Sequence, residues 1–307
     1  MSDSSVAAPE KKTAVAIAGM RCMATSLPHH PYDTRALQHE WVFLDRKTKA
    51  LLMTVNACNR YLFVVPKVLQ YKDVWGGLTF NLCRMHHVDE CLVGALETTP
   101  DAVQQVVFLG AGADCRATRY ADLFGSASAR AFELDLPGMM QYKRECVQRI
   151  DNVQTNHISY VNCDFERQRI EEVLAQESFD SAKKSLIVWE GVTYYLTHDA
   201  IDKTMQSIAK LCSKGSLLTF DFLLKSVVDG SHPDEAGAKM METFKDTEPL
   251  LFGIDPTGVS AFLEKYGFEL HDHLTPEKLQ QKYMTQADGE PFMDVKDFFH
   301  IVVARKM

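Results

Sequence analysis

The sequence lacks paired cysteines. Its eight cysteines are scattered along 307 residues, with no CxxC pair and no His/Cys metal-ligand spacing. That pattern excludes a thiolate metal centre and points to reduced, mostly buried thiols, with no metal site expected. A long basic stretch is also missing, and the net charge is −8. Nucleic acid is therefore not expected as a partner. No apolar run approaches the roughly 20 residues that cross a bilayer. The opening residues, MSDSSVAAPEKK, are polar and carry no apolar core of a signal peptide. A cytoplasmic chain without a membrane partner is expected. No internal repeat or low-complexity block stands out.

The chain does have an ordinary globular share of apolar residues, 46%, enough for one large domain or one domain with a cap. Residues 1–12 are expected to be a disordered tail. Residues 13–100 read as a helical cap. AVAIAGMRCMA, ALQHEWVFLDRKTKALLMTV and LTFNLCRMHHVDECLVGAL carry apolar residues at spacings of three and four, and no strand pattern intervenes. After Pro100 the texture changes. QQVVFLG, ARAFELD, ISYVNCD, SLIVWEG and SLLTFDF alternate with amphipathic helical stretches, and FELHDHL and FHIVVARK lie close to the C-terminus. Strands alternating with helices predict an α/β fold with a mostly parallel, doubly wound sheet. The last two runs suit an antiparallel edge pair. Residues 101–307 are read as one such domain.

Ligands of open α/β sheets bind beyond the carboxyl ends of the strands. Those ends carry Gly110 and Gly112, Glu133 and Asp135, Asp164, and Glu190. Glycine after the first strand lets backbone approach a ligand closely. A carboxylate about two dozen residues later is placed to accept hydrogen bonds from ribose hydroxyls. That much fits a dinucleotide and S-adenosylmethionine equally. Two details favour the second. Cys115 stands where a dinucleotide turn wants its third glycine. Acidic residues at every strand end repel pyrophosphate and attract a sulfonium with an ammonium group. As alternative readings, an acid at a strand end serves as a helix N-cap, as is expected of Asp199, and Arg84 pairs with Asp89 along one helix.

Five separated segments resemble the leucine carboxyl methyltransferase family. They are VVFLGAGADCRATR with its Asp-x-Arg, AFELDLPGMMQYKRE, YVNCDF, LIVWEGVTYYLT and LLFGIDPTGVSAFLEKYGFEL. The resemblance spans about residues 80–305 and implies a class I Rossmann-like methyltransferase that uses S-adenosyl-L-methionine. By position it implies that Gly110 and Gly112 line the methionine part, Asp135 binds the ribose, Asp164 and Phe165 hold the adenine, and Glu190 lies near the sulfonium. It also implies that Arg84 grips the methionine carboxylate, a task suited to a bidentate guanidinium; Arg21 is a second candidate.

The methyl acceptor is then expected to be an oxygen nucleophile, hydroxyl or carboxylate, of a small molecule. Arg116-x-x-Arg119 and FGIDP look closer to the family's small-molecule branch, although SLPHHPYDT departs from it. The alternative partner is the C-terminal leucine carboxylate of a phosphatase catalytic subunit. Further readings are a methyltransferase-like binding protein without turnover and a nucleotide-dependent oxidoreductase. A carboxylate nucleophile needs no general base, whereas a hydroxyl profits from one. His29, His30, His86, His87, Tyr194 and Tyr195 are the candidates, and none is singled out.

Overall fold

A computed structural model describes residues 9–24, 34–62, 76–97 and 102–307. Helix α1 (Pro9–Ala24) begins four residues ahead of Thr13. Residues 9–12 are thus helical rather than part of a tail, because proline at the first helical position lacks only a donor that no helix start uses; residues 1–8 lie outside the described set. A 3₁₀ segment (Thr34–Phe43), α2 (Arg46–Leu62) and α3 (Gly77–Glu97) complete the helical region. No strand occurs in its described residues.

Helix α3 is the element that matters most for the site. From Gly77 to Val88 every residue is buried, as in a helix enclosed on all sides. Phe80 stacks on Phe299 with ring centroids 4.1 Å apart. This enclosure carries the polar side chains of Asn81 and Arg84 into the interior, where they must find partners.

The strands are β1 (Gln105–Leu109), β2 (Arg130–Asp135), β3 (Ile158–Asn162), β4 (Ser185–Trp189), β5 (Leu217–Leu223), β6 (Phe268–Leu274) and β7 (Phe299–Lys306). They form one seven-stranded sheet in the order β3-β2-β1-β4-β5-β7-β6. The pairs from β3 through β5 are parallel, while β7 runs antiparallel to both β5 and β6. The expected mostly parallel sheet with an antiparallel edge is the one observed. Strands β1 and β4 are buried at every residue, the pattern of parallel strands covered on both faces. The helix His198–Leu211 shows the covering logic. Thr197 caps its first turn by accepting from the Ala200 N–H at 3.2 Å. Its buried stripe includes Ile201, Met205 and Ile208, at spacings that share one helix face. Asp199 is not the cap; it sits in the first turn and pairs with Lys203 four residues on.

Chain order reverses at β1, which lies between β2 and β4. The loops after β1 and β4 therefore leave in opposite directions and open a crevice at their carboxyl ends.

Candidate functional site

A cavity of about 270 Å³ occupies that crevice, under helix α1. Arg84, Gly110, Gly112, Asp135, Asp164, Phe165 and Glu190, the residues singled out from separate motifs, all line it.

The turn after β1 is built tightly. The Gly110 and Ala111 amides both donate to the Leu134 carbonyl at 2.9 Å. Gly110 has φ +70°, and a Cβ there would lie 2.3 Å from Val192 Cγ2; no residue with a side chain fits without moving the next loop. The Gly112 and Leu136 amides donate to the two oxygens of Asp135 at 2.7 Å each. Two backbone donors thus fix the Asp135 carboxylate at the cavity wall. Glu133, two residues earlier, is buried below the turn and pairs with Lys143 Nζ at 2.8 Å. Lys143 also donates to the Ala111 carbonyl at 3.1 Å. Burial pushes the Glu133 carboxyl up to about 7 against the opposing pull of Lys143. Of the Glu-x-Asp pair, Asp135 reaches the cavity and Glu133 props the turn.

Glu190 is surrounded by arginines. Its Oε1 accepts from Arg21 Nη2 at 2.7 Å and from Arg84 Nε at 3.1 Å, and its Oε2 accepts from Arg116 Nη1 at 2.5 Å. Burial works to raise this carboxyl's pKa, but Arg116, Arg21 and Arg84 outweigh it and hold the group well below the usual carboxylate range. The acidity read at this strand end is therefore cancelled locally. Arg116 sits within the Asp-x-Arg segment and is fully buried. It also donates to Asp114, to Asp89 and to the Met85 carbonyl. Asp89 pairs with Arg116 and Arg119, not with Arg84 as its helix spacing suggested.

Arg84 is engaged from all sides. Besides Glu190 it donates to Asp221 at 2.6 Å, Asn81 at 2.6 Å and the Tyr194 hydroxyl at 3.0 Å. Arg21 is less occupied. It reaches the same cavity from α1, and its buried Nε finds no hydrogen-bond partner among the described residues. Sequence reading missed Asp221, although an aspartate inside the apolar run SLLTFDF signals a buried acid that needs a cation. It also missed Thr13, Glu166 and Glu248, which line the cavity and carry no motif.

Beyond β3, Asp164, Phe165 and Glu166 line the cavity, as do Tyr195 and Glu248, and the Glu166 carboxylate accepts from the Thr197 amide at 3.3 Å. Of the candidate bases, His29 and His30 lie outside the described residues. His86 and His87 are buried on α3 and do not line the cavity; burial lowers His87 to about 4. Tyr194 is held by Arg84, and Tyr195 lines the wall. Cys115 is buried beneath the turn, where desolvation raises its thiol far above the normal range and leaves it inert. The seven cysteines described are all free, six of them buried. No helix among the described residues is long and apolar enough to cross a membrane, and no group of metal-ligating side chains is found among them.

The model of the leucine carboxyl methyltransferase family matches residues 42–209, more than half of the chain. The chain is 31% identical over 140 residues to a Mycobacterium avium protein described as a "Putative S-adenosyl-L-methionine-dependent methyltransferase". It is 23% identical over 201 residues to a Bacillus subtilis protein of the same description, YktD. Those matches span 46% and 65% of this chain and only 42% and 65% of the two relatives. In fold it is similar to a Thermobifida fusca protein described as a "putative methyltransferase" (TM-score 0.57, 13% identity, 92% of this chain and 97% of that one). It is also similar to a DUF574 family protein from Streptomyces avermitilis (TM-score 0.57, 12% identity, 79% and 89%). Taken with a sheet whose order reverses at β1 and motif residues gathered around one crevice, the family match settles the kinship: the chain belongs to the leucine carboxyl methyltransferase family.

Proposed function

We propose that the protein is an S-adenosyl-L-methionine-dependent methyltransferase acting on an oxygen nucleophile of a small molecule in the cytoplasm. The observation that carries the reading is the convergence of Gly110, Asp135, Asp164, Glu190 and two arginines on one cavity at the sheet's switch point. Family membership and the descriptions of the relatives support it.

The residues present fit this cofactor. Arg21, whose buried Nε is unpartnered among the described residues, is the cation best able to take the amino-acid carboxylate. Arg84 stands behind it and holds Glu190 in place. Gly110 leaves room for the chain at the turn. Asp135 takes the ribose hydroxyls, and Asp164 with Phe165 takes the adenine. Bound there, the cofactor would supply an electrophilic methyl group on a sulfonium. The protein's part is to align the acceptor oxygen behind the methyl carbon and to keep water out. Tyr195, Leu196, Ile17 and Val192 provide that dry wall.

Calorimetry tests the cofactor. Binding of S-adenosylmethionine without binding of NADH is expected; the reverse sinks the reading. Tritiated methyl transfer into a cell lysate, separated into protein and small-molecule fractions, tests the acceptor. Label in the small molecules supports the proposal. Base-labile label on a phosphatase-sized protein favours a C-terminal carboxylate instead, and bound cofactor without transfer favours a non-catalytic binding protein.

A further inference from the structure

We infer that residues 275–298, the excursion between β6 and β7, form a strap that acid releases, clasped at its base by the hydrogen bond between His273 and His300. None of these residues lines the cavity of the proposed cofactor site.

The strap leaves the sheet after Leu274 and re-enters it at Phe299. In between, the helix Pro276–Tyr283 lies on α3 with Leu279 and Tyr283 fully buried. The chain then folds back, with Phe292 N donating to Met284 O at 2.7 Å. Two imidazole contacts hold it. At the base, His273 Nε2 and His300 Nδ1 lie 2.9 Å apart across neighbouring strands. Phe222 of β5 stacks on the buried His300 ring with centroids 5.2 Å apart. Further along, Tyr283 OH donates to Glu90 Oε2 at 2.8 Å and lies 3.0 Å from His87 Nδ1. Because the hydroxyl proton goes to Glu90, His87 Nδ1 donates to the tyrosine oxygen, and His87 Nε2 is left as acceptor toward the Cys91 thiol at 3.4 Å.

Both contacts need neutral rings. A hydrogen bond between two imidazoles takes one bare nitrogen and one N–H. A second proton leaves two cations 2.9 Å apart with no acceptor between them. Burial, reinforced by His273 and opposed by Glu277, lowers His300 to about 4. Burial, reinforced by Lys278 and opposed by Asp272, lowers His273 as well. His87 falls to about 4 through burial and Lys282, against Glu90 and Asp272. The opposing carboxylates are already engaged: Glu277 accepts from Thr275 at 2.6 Å, Asp272 from Lys278 at 3.2 Å and Glu90 from Lys282 at 2.6 Å. The other packed elements bring little further charge to the base. β5 turns Phe222 toward the pair, while its Asp221 is turned onto Arg84. The helix Val259–Glu264, which also packs on β6, buries Leu263 and leaves Glu264 exposed. Glu269 and His271 of β6 are exposed, and Arg305 and Lys306 lie at the far end of β7.

A histidine lowered on folding is neutral in the closed strap and takes up a proton once the strap opens. Closure is therefore favoured above the ordinary 6.5 and weakens as the pH falls toward about 4. Strands β1 to β5 contain no histidine, so this proton uptake opens the edge locally and leaves the parallel pairing in place.

The test is hydrogen–deuterium exchange of the full chain at about pH 7 and about pH 5, with intrinsic exchange rates divided out. Protection of the amides in 275–298 is expected to fall roughly tenfold or more, while that of β1 and β4 changes by less than about threefold. His273→Gln and His300→Asn combined in one chain keep a polar atom at each bonding position without its titration, and are expected to shrink that fall by about threefold or more. No fall in the parent, an equal fall in β1 and β4, or an undiminished fall in the double variant overturns the proposal. Imidazole NMR of the parent decides the matter even where the double variant does not fold. His300 still neutral at about pH 5.5 is expected, and both rings protonated near 6.5 with the strap closed overturns the proposal.

Discussion

Asp221 and Arg84 bind each other at 2.6 Å across the interior, joining β5 to α3. The second Asp221 oxygen accepts from the Gly191 amide at 2.7 Å, so one carboxylate fixes both the arginine and the turn that carries Glu190. Removing it leaves a buried guanidinium without its main counter-charge. Asp221→Ala is expected to cost about 3–5 kcal/mol of stability. Asp221→Asn, which keeps an acceptor for Gly191, is expected to cost less. Urea denaturation of both variants checks the order, and equal losses would remove the charge from the explanation.

The turn after β1 offers a second contrast. Gly110→Ala forces a side chain into a left-handed backbone at about 1–2 kcal/mol and into contact with Val192. Cofactor affinity is expected to fall at least tenfold by calorimetry. Gly125→Ala is the control. That helical position has nothing within 4 Å of a built Cβ, and alanine there is expected to be neutral or to add about 0.5–1 kcal/mol.

Arg21 and Arg84 are expected to separate when each is changed to glutamine. Arg21→Gln, with few internal bonds to lose, is expected to weaken S-adenosylmethionine binding by about 1.5–3 kcal/mol and to keep the melting temperature near the parent's. Arg84→Gln is expected to lower the melting temperature first, since buried Asp221 loses its ion-pair partner and Glu190 and Asn81 each lose a donor. A binding loss confined to Arg84→Gln would return the carboxylate-gripping role to that residue.

How much of this was legible beforehand differs by residue. The seven strands were visible as apolar runs, and the antiparallel edge followed from the spacing of the last two. The strand-end residues were visible because a parallel sheet sends every carboxyl end to one side. The arginine cage around Glu190 was not, because Arg21, Arg84 and Arg116 come from three helices far apart in sequence and meet only in the folded chain. Glu248 was invisible for a similar reason. It lies in no motif, and only the return of its segment over Tyr194 brings it to the cavity.

A pH effect follows from Glu40. It is fully buried in the 3₁₀ segment, neither oxygen has a hydrogen-bond partner among the described residues, and burial pushes it from 4.5 up to about 7 against Arg119 and Arg21. A carboxyl raised on folding holds its proton longer in the native state. Its contribution is therefore most favourable below pH 4.5 and is lost as the pH rises to about 7. Glu40→Gln is expected to flatten the fall in stability over that window and to gain up to about 3 kcal/mol at pH 8. Chemical denaturation at several pH values measures both, and an unchanged slope would mean that Glu40 titrates normally.

The roof of the cavity is the first helix of the described chain, which presents Thr13, Ala14, Ile17 and Arg21 along one face. Sheet and roof thus belong to different parts of the polypeptide. Trimming or fusing near Pro9 is expected to bear on ligand retention more than on whether the sheet assembles, because four residues of the cavity lining sit on that first helix.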